Sequence, residues 1–206
     1  MKDSTRFQSA VATARPRGVR VIEAYSPKLG RRLQCFGELA FAQWICLEAD
    51  PAIQTFCERP VHFDLGEGKR LADFWARSDD GETLLLVDDT CQASTVVIDG
   101  IALLVRAIPP AELAASRRWI DNWTRMLPVM TSCRQLIPPS LLQSILKFIV
   151  EPMPLSRIEQ EFVTSDPTLV RAAVFSLLHQ GQLRAPQLHT DLLSFSTCFQ
   201  PVSAPS

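Results

Sequence analysis

The chain has 206 residues, 47% of them hydrophobic, and a formal net charge of −1. That is enough apolar material for one large core, or for a medium domain plus a small one. No apolar run reaches the ~18–20 residues of a membrane span, and the basic start "MKDSTRFQSAVATARPRG" lacks the apolar stretch of a secretory signal. The six cysteines (Cys35, Cys46, Cys57, Cys91, Cys133, Cys198) form no CxxC pair and the three histidines are scattered. Spacing of this kind argues against a zinc site or disulfide framework and for buried thiols in a reducing cytoplasm.

The small net charge hides segregation. Residues 1–37 carry eight basic and two acidic groups; residues 38–90 carry four and twelve. A basic arm suits an anionic partner such as nucleic acid. An acidic stretch suits a solvated face or a metal site.

In chain order, "VRVIEAY" alternates as a strand does. "SPKLGRR" is a basic turn opened by Ser26-Pro27 and broken at Gly30. "GELAFAQWICLEAD" repeats apolar residues at three- and four-residue spacing and predicts a helix, which Asp50-Pro51 ends. "IQTFCERPVHFDL" predicts one or two strands interrupted at Pro60. "LADFWAR" and "TLLLVDD" flank the turn "SDDGE" as a hairpin. "STVVIDGIALLVRAI" is a second β-rich segment turning at Asp99-Gly100. "PAELAASRRWIDNWTRM" predicts a helix, and "LPVMTS" a short strand returning to the sheet. After Pro138-Pro139 come three helices, "SLLQSILKFIV", "PLSRIEQEF" and "SDPTLVRAAVFSLLHQG", then two strands, "QLRAP" and "LLSFSTCF". The third helix has Asp166 as its cap, Pro167 at its first position and Gly181 at its end.

Three acids fall in order: Glu38 opening the first helix, Asp73 on one strand and Asp88 at the end of the next. A hairpin can bring the two aspartates together, and carboxylate oxygens suit Mg²⁺. Such an ion polarises a phosphodiester and activates water, usually beside a lysine.

The ordered set "SPKLGRR", "FGELAFAQWICLEADPAIQTFCERPVHF", "RLADFWA" and "LLLVDDT" resembles the TnsA-type endonuclease subunit of heteromeric transposases over roughly residues 17–90. The resemblance implies an α/β fold: a restriction-endonuclease-like mixed sheet flanked by helices, of the PD-(D/E)xK kind, followed by a small C-terminal winged-helix domain. It implies a flexible basic arm at 1–17, the nuclease-fold domain at 18–137, the winged helix at 138–200 and a loose tail at 201–206. It places Glu38, Asp73 and Asp88 as Mg²⁺ (or Mn²⁺) ligands and catalytic acids. Thr90 stands where the family lysine would be, and Lys69, with Arg70 beside it, is the cation on the preceding strand able to substitute. Arg15, Arg17, Arg20, Lys28, Arg31 and Arg32 are the expected DNA contacts. The third C-terminal helix offers a groove only Arg171, Ser176, His179 and Gln180.

The function so implied is cytoplasmic, Mg-dependent processing of transposon ends, with a DDE transposase and an ATPase regulator as partners and an impaired or altered active site. One alternative is a catalytically inactive nuclease-fold subunit for transposase assembly or DNA placement. Another is a winged-helix DNA-binding regulator.

Overall fold

A computed structural model describes residues 6–66, 68–162 and 166–202. The chain is mixed α/β and divides into two compact units, residues 1–48 with 52–115, and residues 49–51 with 116–206.

The first unit opens with an antiparallel hairpin, β1 (Val21–Ser26) and β2 (Arg31–Phe36), followed by helix α1 (Glu38–Ala49). Strands β3 (Ile53–Glu58), β4 (His62–Asp64), β5 (Lys69–Leu71), β6 (Phe74–Ser78), β7 (Gly81–Val87), β8 (Ser94–Ile98) and β9 (Ile101–Ile108) come next. Short helix α2 (Pro110–Ala115) closes the unit. Five strands form one mixed sheet in the order β3-β6-β7-β9-β8. It is antiparallel throughout except for the parallel pair β7–β9. Strands β4 and β5 form a separate small hairpin.

The run "LLL" explains why β7 is central. Leu84, Leu85 and Leu86 alternate between faces, and all three are buried. On one face Leu84 and Leu86 join Trp75, Phe63, Leu103 and Val105 in a core cluster. The opposite parity, with Phe74 and Leu85, is buried as well.

The basic turn "SPKLGRR" is a clasp. Glu48, fully buried on α1, accepts the Ser26 hydroxyl and, at 2.8 Å, the Lys28 N–H. The Lys28 ammonium donates to the Leu47 carbonyl at 2.9 Å. Gly30 at φ +65 reverses the chain, and its N–H closes the turn on the Ser26 carbonyl at 2.9 Å.

The second unit holds α3 (Arg117–Cys133), α4 (Pro139–Phe148), β10 (Met153–Pro154), α5 (Leu155–Glu161), α6 (Pro167–His179), β11 (Leu183–Arg184), a 3-10 turn (Pro186–His189) and β12 (Cys198–Pro201). The strand order is β10-β12-β11. "LPVMTS" is helical rather than a strand: Leu127 and Met130 continue the buried stripe of Trp123 and Met126, and Pro128 lies within α3 without ending it. Helix α3 packs on α6, so it belongs with the C-terminal elements, and the units part near residue 116 instead of 138.

Helix α6 is the centre of this unit. Seven of its residues are buried, and α3, α4, α5 and β11 all contact it. Asp166 caps it by accepting the Thr168 N–H at 2.8 Å. Of the four side chains expected to face a DNA groove, Arg171 pairs with Glu159 and lies over the Phe195 ring. Ser176 returns its hydroxyl to the Ala172 carbonyl at 2.7 Å, and His179 meets Trp123 edge-on. Only Gln180 is exposed.

Buried Asn122 ties α3 to the segment before β12. Its amide donates to the Leu188 and Asp191 carbonyls and accepts the Leu193 N–H, each at 2.8 Å.

Candidate functional site

Asp73 lies in the two-residue break between β5 and β6. Its backbone N–H donates to the Leu85 carbonyl at 2.9 Å and its carbonyl accepts the Arg59 N–H at 2.8 Å. Its carboxylate accepts the Val87 N–H at 2.8 Å. Burial pushes the Asp73 carboxyl above its ordinary value. The Val87 hydrogen bond offsets this in part, whereas nearby Asp89 adds to it.

The second acid departs from expectation. Strand β7 ends at Val87, and Asp88 takes a left-handed conformation, φ +59, with its N–H on the Ile108 carbonyl at 2.9 Å. Its side chain is exposed. Asp89, the next residue, is the less exposed of the two and its charge acts on Asp73. It forms an ion pair with Arg70 and accepts the Thr90 and Cys91 N–H groups at 2.7 and 2.8 Å. Burial opposes its ionisation, but the two backbone donors and Arg70 outweigh that and hold it below its ordinary value. Thr90 is off the strand altogether.

Lys69 and Arg70 are neighbours on β5, where consecutive side chains leave opposite faces. Arg70 takes the position beside Asp89, so exposed Lys69 does not join it. Glu38 is an exposed first-turn residue of α1 and pairs with Arg20 at 3.4 Å. Among the described residues no three His, Cys, Asp or Glu side chains are placed to hold one metal ion. Glu38, Asp73 and Asp88 are therefore not gathered as one three-acid set.

A cleft of about 320 Å³ does open beside Asp73. One wall is the segment carrying Thr13, Ala14, Pro16 and Val19; the other includes Phe36, Glu58, Arg59 and His62. Glu58 is almost fully buried and takes Arg31 in a two-pronged pair at 2.8 and 2.6 Å. Arg59 adopts φ +44, lays its guanidinium over the Phe36 ring at 4.3 Å and donates to the Gln34 carbonyl. Cys35 and Cys57 are buried nearby, their thiols pushed up to about 12 and about 11 chiefly by desolvation, which makes them poor nucleophiles. All six cysteines are free.

The six expected DNA contacts separate by environment. Arg15 and Arg17 are exposed on the segment that walls the cleft, and Arg32 is exposed on β2. Arg20 is exposed but shared with Glu38. Lys28 and Arg31 are committed to Leu47 and Glu58. Around Asp73 gather Arg70, the sequence candidate beside Lys69, Asp89, the neighbour of the expected second acid, and Arg59, which the sequence did not mark for a role there.

Among the described residues no helix is long and apolar enough to cross a membrane. No protein-family model matches the chain, and no curated protein matches its sequence.

Proposed function

We propose that this chain is a TnsA-like subunit that places DNA without cutting it: a degenerate restriction-endonuclease-like domain joined to a winged-helix-like domain. The five-stranded mixed sheet, and the β10-β12-β11 sheet whose strands are interleaved with α4, α5 and α6, support the two fold resemblances. One observation carries the non-cutting reading. Asp73 is bonded to Val87, Asp89 to Arg70 and Glu38 to Arg20, while Asp88 faces solvent, so the expected acids are dispersed into separate contacts. A hydrolytic site needs carboxylates converging on one cation and a free cation beside the nucleophile, and Thr90 supplies no charge.

DNA contact is assigned to Arg15, Arg17 and Arg32, with Arg20 in reserve, on the arm and β2. We do not assign groove reading to α6, because Arg171, Ser176 and His179 are engaged with Glu159, Ala172 and Trp123. Its unit serves as a docking module for the DDE transposase or ATPase regulator that the resemblance implies.

The test is incubation of the full chain with transposon-end duplex, with Mg²⁺ or Mn²⁺, alone and with its transposase. Retarded DNA without strand cleavage is the expected result. Cleavage that Asp73→Ala abolishes would restore the endonuclease reading, and failure to bind any DNA would remove the placement role.

A further inference from the structure

The amino-terminal arm is anchored on both sides of a bare stretch. At its start Arg6 pairs with Glu82 at 3.5 Å and donates to the Ile98 carbonyl at 3.1 Å. Phe7 meets the buried Trp75 ring edge-on at 5.4 Å and packs on the core cluster of that sheet face. The Val11 N–H donates to the Arg59 carbonyl at 2.8 Å, and the Arg59 N–H donates to the Asp73 carbonyl at 2.8 Å. This anchor is thus bonded into the same backbone frame as Asp73. At the far side the Gly37 N–H donates to the Arg20 carbonyl at 2.9 Å, and β1 begins at Val21.

Residues 12–18, "ATARPRG", bridge these anchors without helix or strand. Among the described residues no backbone hydrogen bond ties them to the sheet. The one they share is local: the Val19 N–H donates to the Pro16 carbonyl at 3.3 Å, around Gly18 at φ +77. The bridge also has two faces. Thr13, Ala14 and Pro16 line the Asp73 cleft, together with Val19, whereas Arg15 and Arg17 are exposed. Small side chains bury little area, so the inward face holds the bridge weakly.

We infer that residues 12–18 are a lid on the Asp73 cleft, and that a DNA backbone engaging Arg15 and Arg17 opens it. A duplex presents its phosphates at fixed spacing, so the two arginines must adapt to it. The bridge is the compliant part, because its anchors are bonded and it is not. Arg15 and Arg17 flank Pro16 in the chain, so their movement carries the inner wall with them. The opposite wall stays in place, with Arg59 laid on Phe36 and Glu58 held by Arg31. Opening brings the half-buried Asp73 carboxyl and the cleft behind it into reach only when DNA is bound. The trigger rests on the DNA-placing reading; the lid geometry does not.

The chain carries its own reporter. Cys35 is buried and lines the cleft, whereas Cys57 is equally buried but does not line it. The test is iodoacetamide labelling of the full chain, read at each cysteine by peptide mapping, with and without duplex DNA whose binding is followed by anisotropy. Bound duplex should raise the Cys35 rate about tenfold or more, as when a minor open state becomes the major one, and leave Cys57 unchanged. Ala14→Glu, which sets a third carboxylate in the cleft beside Asp73 and Glu58, should raise the Cys35 rate without DNA at an unchanged melting temperature. Bound duplex with unchanged or slowed Cys35 labelling overturns the lid alone, as does a folded Ala14→Glu chain that labels like wild type. Equal acceleration at Cys57 overturns it as well, since that reports general unfolding. A chain that binds no duplex overturns both the lid's trigger and the DNA-placing reading.

Discussion

The carboxylate of Asp73 accepts the Val87 N–H at 2.8 Å across the gap between the β6 and β7 strands. The first acid of the expected metal site thus completes the backbone ladder where β7 is about to end. Asp89, next to it in space, answers to Arg70. These two aspartates have opposite electrostatic fates, and that difference is measurable.

Asp73 is raised above 3.8, so the folded chain holds this proton to higher pH than the unfolded chain does. Its contribution to stability is full below the ordinary carboxylate value and is lost as pH rises through the folded value. Asp89 is lowered below 3.8, so its contribution is present above the ordinary value and is lost as pH falls through the folded one. Urea midpoints across the acidic range should show Asp73→Asn removing a decline on the rising side. Asp89→Asn should remove a loss on the falling side. Identical pH profiles for wild type and both variants would contradict the arrangement.

Arg31→Ala should destabilise the chain by about 3 kcal/mol at neutral pH, because it leaves the nearly buried Glu58 carboxylate without its partner. Arg31→Ala with Glu58→Gln should recover much of that loss. Urea denaturation of the two variants checks it; equal destabilisation in both would mean the pair itself contributes little.

Asn122→Ala should cost about 3 kcal/mol, since it deprives two carbonyls and one N–H of their partner in a buried setting. Denaturation followed by Trp fluorescence reads this directly, because Trp119 stacks on His189 at 4.1 Å within the same segment. A change under about 0.5 kcal/mol, the usual size for a surface substitution, would show that water replaces the amide.

Periodicity and turn residues made most elements legible. Asp99-Gly100 and the Asp166-Pro167 start lie where the sequence puts them, whereas the first hairpin turns one residue earlier than Asp80-Gly81, at Asp79-Asp80, with Gly81 already paired to Ser78. What periodicity cannot report is which of two adjacent acids points inward. Asp88 and Asp89 are equivalent as letters, and only the left-handed turn at Asp88 decides between them. Arg70 over Lys69 was hidden for a similar reason, since the facing of a three-residue strand depends on its partner's register. The burial of α6 was partly visible in its apolar stripe, but its cover by α3 required the reading of "LPVMTS" as helix. Asn122 gave no signal, because its three partners lie 66 to 71 residues away.

The basic residues can be sorted by one experiment with two readouts. DNA affinity falls with salt by a log–log slope of about 0.9 per phosphate contact. Arg15 and Arg17 are exposed beside the cleft, so Arg15→Ala and Arg17→Ala should each lower that slope by about 0.9 while leaving the urea midpoint unchanged. Arg31→Ala should do the reverse, keeping the slope and losing stability, because its guanidinium is held by Glu58 rather than offered to solvent. Fluorescence anisotropy on a labelled duplex at several salt concentrations gives the slope, and denaturation of the same samples gives the midpoint. If Arg31→Ala lowered the slope and Arg15→Ala did not, the DNA path would follow the β2 and β3 edge instead of the arm.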